Sequence, residues 1–243
     1  GLVGSEMCIR DRPKGLVLVI GAWNYPVQLA LAPVVGALAA GNTVVLSPSE
    51  KAPATAAALG ELVPQYLDSA LVSVVAGGKE CNTALLAEPW DHILYTGGER
   101  VGRIVYEAAA KTLSPVTLEL GGKSPAVVTP SRNTGAMARR IAWAKFTNAG
   151  QTCVAPDYVL AVGEAALRQV TAELPATLRE FYGDDPRASK DYGRLISAEH
   201  AERLREMLQT DLDAGAELLV GGDVDVAGRY MAPTVVTGVR PDG

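Results

Sequence analysis

Residues 16–46, LVLVIGAWNYPVQLALAPVVGALAAGNTVVL, contain the alternation that decides the fold. Two apolar runs, LVLVI (16–20) and TVVL (43–46), flank a helical stretch, VQLALAPVVGALAAG, that ends at Gly41. A glycine just past the last helical residue is a common helix stop, because glycine adopts a left-handed conformation without steric cost. The stretch therefore predicts a strand, a helix and a second strand, the unit that joins parallel strands.

The same alternation continues through the first half of the chain. Three further runs follow, LVSVV (71–75), HILY (92–95) and VTLEL (116–120). The spacing between successive runs leaves room for a helix and two loops each time, and GERVGRIVYEAAAK (98–111) is the clearest helix among them. Continuous apolar runs are typical of strands covered on both faces. This half therefore predicts an α/β domain built on a parallel sheet.

The pattern changes near Gly121-Gly122, where we place a domain boundary. The elements predicted beyond it are the strand PAVV (125–128), the helix TGAMARRIAWAKFTNA (134–149), the strand YVLAV (158–162), helices over about 164–182 and 198–210, and the strands AELLV (216–220) and APTVV (232–236). The sequence thus predicts a parallel-sheet domain over residues 13–120 and a second α/β domain over residues 121–243.

Both ends of the sequence are expected to be cut. Residues 1–12, GLVGSEMCIRDR, lack an initial methionine and a signal-peptide pattern, and they do not continue into the patterning that begins at Pro13. They resemble a translated sequencing adaptor, so we predict a non-native leader. At the other end VRPDG (239–243) stops in a turn signal, so the second domain is expected to be incomplete.

Composition limits the class of protein. The chain has 243 residues, of which 48% are hydrophobic and 20% charged, so it can bury a substantial core. A net charge of −5 without a basic run argues against nucleic-acid binding. Because no apolar stretch reaches the roughly 18 residues that span a bilayer, we predict no membrane segment. Three cysteines without paired spacing favour a reducing compartment, hence a cytoplasmic location.

The two histidines, His92 and His200, lie far apart in the sequence and form no ligand cluster with the cysteines, so we predict no metal site. His92 precedes an apolar strand residue and is predicted to be a packed or capping side chain. His200 lies in AEHAERLREM (198–207) and is predicted to lie on a solvated helix face.

Cys153 is the candidate nucleophile. It lies in NAGQTCVAPDY (148–158), between a glycine turn and a proline-closed turn, whereas a structural cysteine more usually sits in an apolar run. A reactive thiol needs a lowered pKa or a nearby base. Glu119 and Glu50 are the candidate bases, and Glu119 ends a parallel strand, where open sheets bind ligands. On the residues alone, a packed small hydrophobe remains the alternative for Cys153. For Glu119 the alternatives are an N-terminal partner for a later element and a solvated strand end.

Two turns could contribute to a ligand site. TGGERVGR (96–103) follows a strand and opens a helix, the context in which backbone N–H groups bind phosphate. It is neither a P-loop nor G-x-G-x-x-G, so a glycine turn that allows close packing remains the alternative. GAWNYP (21–26) places Asn24 after the first strand, where its amide could donate to a developing oxyanion. Asparagine is also a common turn residue.

Taken in order, GAWNYP, SPSE, YTGGERVG, VTLELGGKSP and NAGQTCVAPDY resemble the successive motifs of the NAD(P)-dependent aldehyde dehydrogenases. The NYP, LELGGKSP and GQTCVAPDY forms are most similar to the class 3 branch, the fatty and aromatic aldehyde dehydrogenases. The resemblance covers residues 13–243. It implies a Rossmann-like NAD(P)-binding domain at 13–120 and the first part of an α/β catalytic thiol domain at 121–243, an aldehyde dehydrogenase fold truncated at both ends.

The resemblance implies that Cys153 attacks the aldehyde carbon to form a thiohemiacetal. The amide of Asn24 and the backbone N–H of Cys153 would hold its oxyanion. After a hydride has passed to NAD or NADP, Glu119 would activate the water that hydrolyses the remaining thioester. A carboxylate suffices as this base if its site is partly desolvated, because desolvation raises the pKa of a carboxyl group.

The cofactor contacts that the resemblance implies are Trp23, Ser47, Glu50, Gly97, Gly98, Val101, Leu120 and Gly121. Among these, the glycine turn would lie near the pyrophosphate, with Gly102 easing the turn, and Glu50 near the adenosine ribose. Tyr25 would line the substrate tunnel. Ser47 stands where the family usually has a lysine that grips this ribose. A hydroxyl brings no charge, so the resemblance leaves the choice between NAD and NADP open.

The resemblance also implies a small-molecule aldehyde substrate, medium- or long-chain aliphatic or aromatic, and a homodimeric parent protein. We expect the 243-residue chain alone to be unstable or inactive. The alternatives are a CoA-acylating aldehyde dehydrogenase, which generally lacks the glutamate matched by Glu119, and a cysteine hydrolase or acyltransferase using Cys153 with His92. A third alternative is a non-catalytic remnant of the family. The joint retention of Cys153, Glu119 and Asn24 argues against the remnant.

Overall fold

A computed structural model describes residues 12–130 and 132–239, and the chain divides into two compact units between Gly121 and Gly122. The predicted leader and the C-terminal turn lie outside the described residues apart from Arg12 and Val239, so both stay predictions. The assignment of the first unit to cofactor binding and of the second to thiol chemistry likewise stays a prediction.

The first unit is built on a five-stranded sheet in the order β3-β2-β1-β4-β5, with every neighbouring pair parallel. Its strands are β1 Leu16–Ile20, β2 Thr43–Ser47, β3 Val72–Val74, β4 His92–Thr96 and β5 Val116–Glu119. The five predicted runs and their parallel arrangement are confirmed. The helices that connect them are α1 Gln28–Ala39, α2 Pro53–Tyr66, α3 Lys79–Leu85 and α4 Glu99–Thr112.

Both faces of this sheet are covered, which explains the continuous apolar runs. On β1, Val19 packs in a cluster with Val34 of α1, whereas its neighbour Leu18 packs in another cluster with Val105 of α4. These side chains are essentially inaccessible to solvent. Burying each contributes on the order of 1.5–3 kcal/mol, so an alternating polar strand would not be stable here.

The strand order reverses at β1, which has β2 on one side and β4 on the other. The chain moves outward from β1 to β3 and then returns to place β4 and β5 on the opposite side. Open α/β sheets bind ligands outside the carboxyl ends of the strands at such a reversal. The two turns that follow β1 and β4 therefore lie at the expected ligand edge, and they are the turns of GAWNYP and TGGERVGR.

The described residues of the second unit form three separate strand pairs. Its strands are β6 Ser124–Val128, β7 Pro156–Ala161, β8 Glu217–Val220, β9 Val224–Asp225, β10 Tyr230–Met231 and β11 Val235–Thr237, and its helices are α5 Thr134–Phe146, α6 Gly163–Tyr182 and α7 Ala198–Asp213. β6 and β7 are parallel, whereas β8 pairs with β11 and β9 with β10 in antiparallel fashion. The β9–β10 pair was not predicted, because two-residue strands are too short to show a period.

The core of the second unit lies mainly between α5 and α6. Ala138 and Ala142 are four residues apart on α5, and Val170, Leu174 and Leu178 follow the same spacing on α6. Residues four apart share one helix face, so each helix presents a single buried stripe to the core. The small alanine side chains on α5 allow close approach of the packed elements.

The predicted helix over residues 134–149 is too long. α5 ends at Phe146, and Thr147–Gly150 form a 3-10 turn in which Asn148 and Ala149 have φ values of 54° and 53°. Gly150 follows with φ 77°. Three successive residues in the left-handed region cannot continue a right-handed helix. The chain therefore reverses directly before the segment that carries Cys153.

Candidate active site

Four neighbouring strands of the first unit end at one edge of the sheet, and the predicted cofactor residues follow those ends. Ser47 ends β2, residues 23–25 follow β1, Gly97 and Gly98 follow β4, and residues 119–121 end or follow β5. The strand order places these four ends side by side. The structure thus brings together, at one sheet edge, residues that are up to 98 positions apart in the sequence.

The glycine turn after β4 is shaped by a tyrosine that sequence reasoning missed. Tyr95 is only 5% exposed, and its hydroxyl donates to the carbonyl oxygen of Gly98 at 3.2 Å. A Cβ atom on Gly97 would lie 2.2 Å from that hydroxyl oxygen, so only glycine fits. Burial raises the pKa of Tyr95, which keeps the hydroxyl protonated as a donor. The available signal was an aromatic residue two positions before Gly97 on a buried strand.

The turn also begins α4 and fits a phosphate group. The first hydrogen bond within the helix is donated by Gly102 N–H to the Gly98 carbonyl at 3.0 Å, so the preceding N–H groups have no acceptor within the helix. A Cβ atom on Gly98 would meet nothing within 4 Å, which leaves the backbone there approachable. These groups and the helix dipole suit an anion. Gly102 has a packing role as well, since a Cβ atom there would lie 2.8 Å from Leu120.

The crowding at Gly97 predicts unequal effects of two neighbouring alanine substitutions. We expect Gly97→Ala to lower the free energy of unfolding by about 1–3 kcal/mol, because the new methyl group collides with Tyr95. Gly98→Ala enters open space and should cost less than about 1 kcal/mol. Urea unfolding of the two variants measures the difference. Equal losses would show that Tyr95 does not determine the glycine requirement.

The position of the Ser47 hydroxyl does not suit a direct contact with a cofactor. Its side chain is fully buried, and its hydroxyl donates to Oδ1 of Asn82 on α3 at 2.8 Å. A buried hydroxyl with this acceptor does not face a ribose, so the placement gives no support to the cofactor role, which stays a prediction. Glu50, by contrast, is exposed after the end of β2. Asn82 was not singled out from the sequence, because its contact with Ser47 spans 35 residues.

The turn that carries Trp23, Asn24 and Tyr25 is attached at both of its sides. Gly21 N–H donates to the carbonyl oxygen of Ser47 at 2.9 Å, and the Tyr25 carbonyl accepts from Leu29 N–H at 2.9 Å. The turn is therefore fixed to the end of β2 and to the first turn of α1. The three side chains are half-buried. This placement suits an amide donor held in one position.

Glu119 lies at the carboxyl end of β5, as predicted. Its backbone is paired with Thr96, and its carbonyl oxygen accepts from Gly97 N–H at 2.9 Å. The pairing therefore connects the glutamate directly to the glycine turn. Its side chain is exposed. The base that the resemblance implies needs a partly desolvated carboxylate, and the exposed side chain of Glu119 does not show such desolvation.

His92 is a packed residue, as predicted. Its Nε2 lies 3.0 Å from the Thr117 hydroxyl, and Nδ1 is buried without a hydrogen-bond partner among the described residues. Burial, followed by the charge of Lys14, lowers the pKa of His92. The residue begins β4, whereas Gly97 follows the end of that strand and lies about 16 Å from His92 at the usual rise per residue. His92 therefore lies at the sheet edge opposite the predicted ligand edge, which does not support its use as a catalytic base.

The prediction that His200 lies on a solvated face is wrong. The residue is half-buried in the first turn of α7, where its Nδ1 lies 2.8 Å from the Ser197 hydroxyl. Ser197 caps this helix by accepting from the backbone N–H of His200. The serine three positions before the histidine was the sequence signal for this cap. His200 thus contributes to a helix terminus.

The second unit carries the thiol on a tight turn. Cys153 is exposed, and the Ala155 N–H donates to the Thr152 carbonyl at 3.1 Å, which closes the turn around the cysteine. Cys81, the other described cysteine, is half-buried in α3. Of the two, Cys153 is therefore the thiol that a substrate can reach.

Gln151 attaches this turn to a distant segment, and sequence reasoning missed it. Its Nε2 donates to the carbonyl oxygens of Asn148 and Arg194 at 3.0 and 3.1 Å. Its Oε1 accepts from Ile196 N–H at 2.8 Å. One amide thus holds the left-handed turn before Cys153 and the chain that leads into α7. The amide between Gly150 and Thr152 gave no periodic signal that would have revealed these partners.

Gly122 approaches the backbone of the same turn. A Cβ atom on Gly122 would lie 2.2 Å from the carbonyl oxygen of Cys153, well inside contact distance. The second glycine of GGKS therefore allows two backbones to pack against each other. This steric requirement explains the second glycine of the LELGGKSP motif.

No group of three or more His, Cys, Asp or Glu side chains in residues 12–130 and 132–239 is placed to hold a metal ion. Within the same part of the chain, no helix combines the length and the apolar character needed to cross a membrane.

These features define an α/β chain with a parallel sheet whose strand order reverses at β1 in one unit and an accessible thiol in the other. The model of the family described as "Aldehyde dehydrogenase family" matches residues 3–243, and the chain belongs to this family. The match begins within the stretch that was predicted to be a non-native leader.

The known proteins it resembles include class 3 members. The chain is 49% identical over 239 residues to mouse "Aldehyde dehydrogenase family 3 member A2", covering 98% of this chain and 48% of that protein. It is 48% identical over 237 residues to rat "Aldehyde dehydrogenase, dimeric NADP-preferring", covering 98% and 51%. The predicted class 3 resemblance is confirmed. The chain spans about half the length of the curated relatives it matches.

A solved structure gives the same result for the fold. The Mycobacterium tuberculosis aldehyde dehydrogenase complexed with NAD+ superposes with a TM-score of 0.85 at 34% identity. The alignment covers 95% of this chain and 49% of that one. The predicted aldehyde dehydrogenase fold is therefore confirmed.

Proposed function

We propose that the protein carrying this chain oxidises an aldehyde to a carboxylic acid with NAD+ or NADP+, using Cys153 as the nucleophile. The observation that carries the proposal is the exposed thiol on a turn that neighbouring groups hold on several sides. Such a thiol is accessible to a carbonyl carbon and held in one geometry. Membership of the aldehyde dehydrogenase family supports the reaction class.

The reaction would begin with the sulfur of Cys153, as thiolate, bonding to the aldehyde carbon. The carbonyl oxygen then becomes an oxyanion, to which the Asn24 amide and the Cys153 backbone N–H would donate. A bound nicotinamide supplies the two-electron acceptor for the oxidation. The acyl group is left as a thioester on Cys153. Glu119 would take a proton from water as that water attacks the acyl carbon, and cleavage of the carbon–sulfur bond releases the acid and the Cys153 thiolate.

The cofactor would be held at the ligand edge of the first unit. Its pyrophosphate would lie against the backbone around Gly97 and Gly98 and the first turn of α4, which includes Val101. That turn offers N–H groups without acceptors in the helix. Trp23 and the backbone of Leu120 and Gly121 would contact the remainder of the dinucleotide. Glu50 would face the adenosine ribose. The substrate would pass Tyr25 on the neighbouring turn.

The presence of Glu119 favours hydrolysis of the thioester over its transfer to CoA. A water-activating carboxylate is required only when water is the acceptor, and Glu119 lies at a strand end on the predicted ligand edge. CoA-acylating activity would be recognised by a requirement for free CoA and by an acyl-CoA product. The hydrolase alternative receives no support from His92, which lies at the other edge of its sheet.

We expect Glu119→Gln to separate the two halves of the reaction. Glutamine keeps the shape of the side chain but cannot accept the proton of water, so the thioester forms and then persists. The variant should release about one equivalent of NAD(P)H per Cys153 in a burst and then stall, as expected for a trapped acyl-enzyme. Mass spectrometry of the cysteine peptide should show the acyl adduct. Wild-type steady-state turnover in this variant would rule out Glu119 as the base.

The substrate range, the assembly and the location are parts of the same proposal. Similarity to class 3 members supports medium- or long-chain aliphatic and aromatic aldehydes, which a series from butanal to dodecanal with benzaldehyde would test. A homodimer is supported by the rat relative, whose name calls it dimeric, and light scattering on the protein carrying this chain measures the mass. The free thiols of Cys81 and Cys153 support a reducing, cytoplasmic location.

A further inference from the structure

One carboxylate in the second unit binds two lysines that are distant from it in the sequence. Asp157 is the second residue of β7, four positions after Cys153. Lys123 Nζ lies 2.8 Å from its Oδ2, and Lys145 Nζ lies 3.2 Å from its Oδ1. Each carboxylate oxygen therefore has its own ammonium partner. We call these three residues the aspartate clamp.

The clamp joins the segments that surround the thiol turn. Lys145 lies in the last turn of α5, before the chain reverses, and its Cε lies 3.7 Å from the position that a Cβ atom on Gly150 would occupy. Lys123 directly follows Gly122, whose backbone contacts the carbonyl oxygen of Cys153. Asp157 lies near the start of β7, the strand that leaves the turn. One side chain thus ties together the chain before Cys153, the chain after it and the strand beside it.

The clamp is more protected from solvent than a surface ion pair. The side chains of Asp157 and Lys145 are 30% and 29% exposed, whereas those of Arg139 and Glu180, which pair between α5 and α6, are 51% and 52% exposed. Partly buried charges are screened less by water and salt, so the clamp restrains its segments more strongly. Lys123 remains exposed at 75% and contributes a weaker contact.

The charge of Asp157 persists over the working pH range. Burial by itself raises the pKa of this carboxyl, but the hydrogen bond from Lys123 and the charge and hydrogen bond of Lys145 outweigh it and lower the pKa below the usual value of 3.8. Since a lowered pKa keeps the carboxylate ionised at any pH above that value, protonation does not open the clamp under conditions in which a thiol reacts.

We propose that Asp157 is a positioning residue for Cys153: its carboxylate, held by Lys123 and Lys145, fixes the turn that presents the thiol. The inference rests on the proposed function of Cys153 as nucleophile. Asp157 does not contact the reacting atoms in this role. Loss of its charge would leave two ammonium groups without their carboxylate and release the three segments from one another. The thiol would then occupy the attacking geometry for a smaller fraction of the time.

The test compares Asp157→Asn with Lys123→Gln and with Glu180→Gln as the matched control. Glu180→Gln removes the salt bridge from α6 to Arg139 of α5, the helix that also carries Lys145. It touches none of the clamp residues. Lys123→Gln changes an exposed side chain, so it keeps the test valid if Asp157→Asn does not fold. Two readouts are needed: hydrogen–deuterium exchange of the peptide over residues 147–156, and kcat with KM for the cofactor.

We expect exchange in residues 147–156 to accelerate in both clamp variants and to stay at the wild-type rate in Glu180→Gln. The kcat should fall about 10- to 100-fold in Asp157→Asn, and less in Lys123→Gln, since a misplacement of about 1 Å can cost 10²-fold. KM for the cofactor should stay within about twofold, because the proposed cofactor residues belong to the first unit. Asp157→Glu should recover part of the kcat, because it restores the charge.

Unchanged exchange in both clamp variants would overturn the inference, and so would faster exchange with a wild-type kcat. A fall in kcat that is matched by an equal fall in Glu180→Gln would reduce Asp157 to a general stabilising residue. If the wild-type protein that carries this chain oxidises no aldehyde at all, the proposed function fails. The exchange data then still decide whether the clamp holds the turn.

Discussion

In the protein that carries this chain, replacing Cys153 by serine should abolish NAD(P)H production, with kcat falling by at least about a thousandfold. A serine hydroxyl has nearly the same size as the thiol but is almost entirely protonated at neutral pH. Without a histidine base it does not attack a carbonyl carbon at a useful rate. Because Cys153 is exposed, the substitution changes few packing contacts, so we expect the loss of activity without a loss of folding.

The matched control is Cys81→Ser, which changes the other described thiol. Cys81 is half-buried in α3, where a Cβ atom on Gly77 would lie 2.7 Å from its sulfur, so it has a packing role. We expect this variant to lose some stability and to keep its turnover. The two variants are compared by their rates of NAD(P)H formation from octanal, measured by absorbance at the same enzyme concentration. Substantial turnover in Cys153→Ser would show that the Cys153 thiol is not the nucleophile, and the proposed mechanism would fail.

Replacing Gly122 by alanine should disturb the same thiol without changing it. The new methyl group would lie 2.2 Å from the carbonyl oxygen of Cys153, and a backbone oxygen cannot rotate out of the way. One of the two backbones must shift, which should lower stability by about 1–3 kcal/mol. Since a shift of about 1 Å in a reacting group costs up to 10²-fold, kcat should fall to a similar degree.

Gly135→Ala is the control for this substitution within the same unit. Gly135 lies in the first turn of α5, and a Cβ atom there would meet nothing within 4 Å. Alanine favours the helix over glycine by roughly 0.5–1 kcal/mol, so this variant should be slightly stabilised and keep its kcat. Thermal unfolding and initial rates measure both quantities. A wild-type kcat in Gly122→Ala would show that the contact with Cys153 does not set the thiol geometry.

Much of the local structure was predictable because its causes are local. The five strands of the first unit were recognised as continuous apolar runs, and strand β1 shows why, since Val19 and Leu18 are buried on opposite faces. The end of α1 was recognised from Gly41, which has the expected left-handed φ of 84°. Each of these signals depends on neighbouring residues in the chain, so sequence order carries the information.

The errors have a common origin in contacts between distant segments. The helix predicted over 134–149 stops at Phe146, because Gln151 binds the Asn148 carbonyl and the segment near Arg194 and so stabilises a left-handed reversal. His200 was placed on a solvated face because charge periodicity describes a helix interior and overlooks its cap. In both cases hydrogen bonds that periodicity does not record decided the outcome.

In the candidate site, too, the local features were predictable and the long-range contacts were not. Its residue types were predictable from the motifs: Cys153 between turns, Glu119 at a strand end and glycines after a strand. The partners that shape the site were not predictable, among them Tyr95 under the glycine turn and Asn82 as the acceptor for Ser47. The Ser47 case shows the difference plainly, because a residue at a cofactor-motif position has its hydroxyl buried inside the fold.

By itself, the sequence determined the α/β class, the strands and most helices, and the family, because these follow from local periodicity and from motif order. Only the tertiary structure decided the strand order that gathers four strand ends at one edge, the contact of Gly122 with Cys153 and the aspartate clamp. Such features join residues that are tens of positions apart. The stability of these contacts depends on which side chains pack together and which charges meet in the folded chain. The pattern of neighbouring residues in the sequence does not show this.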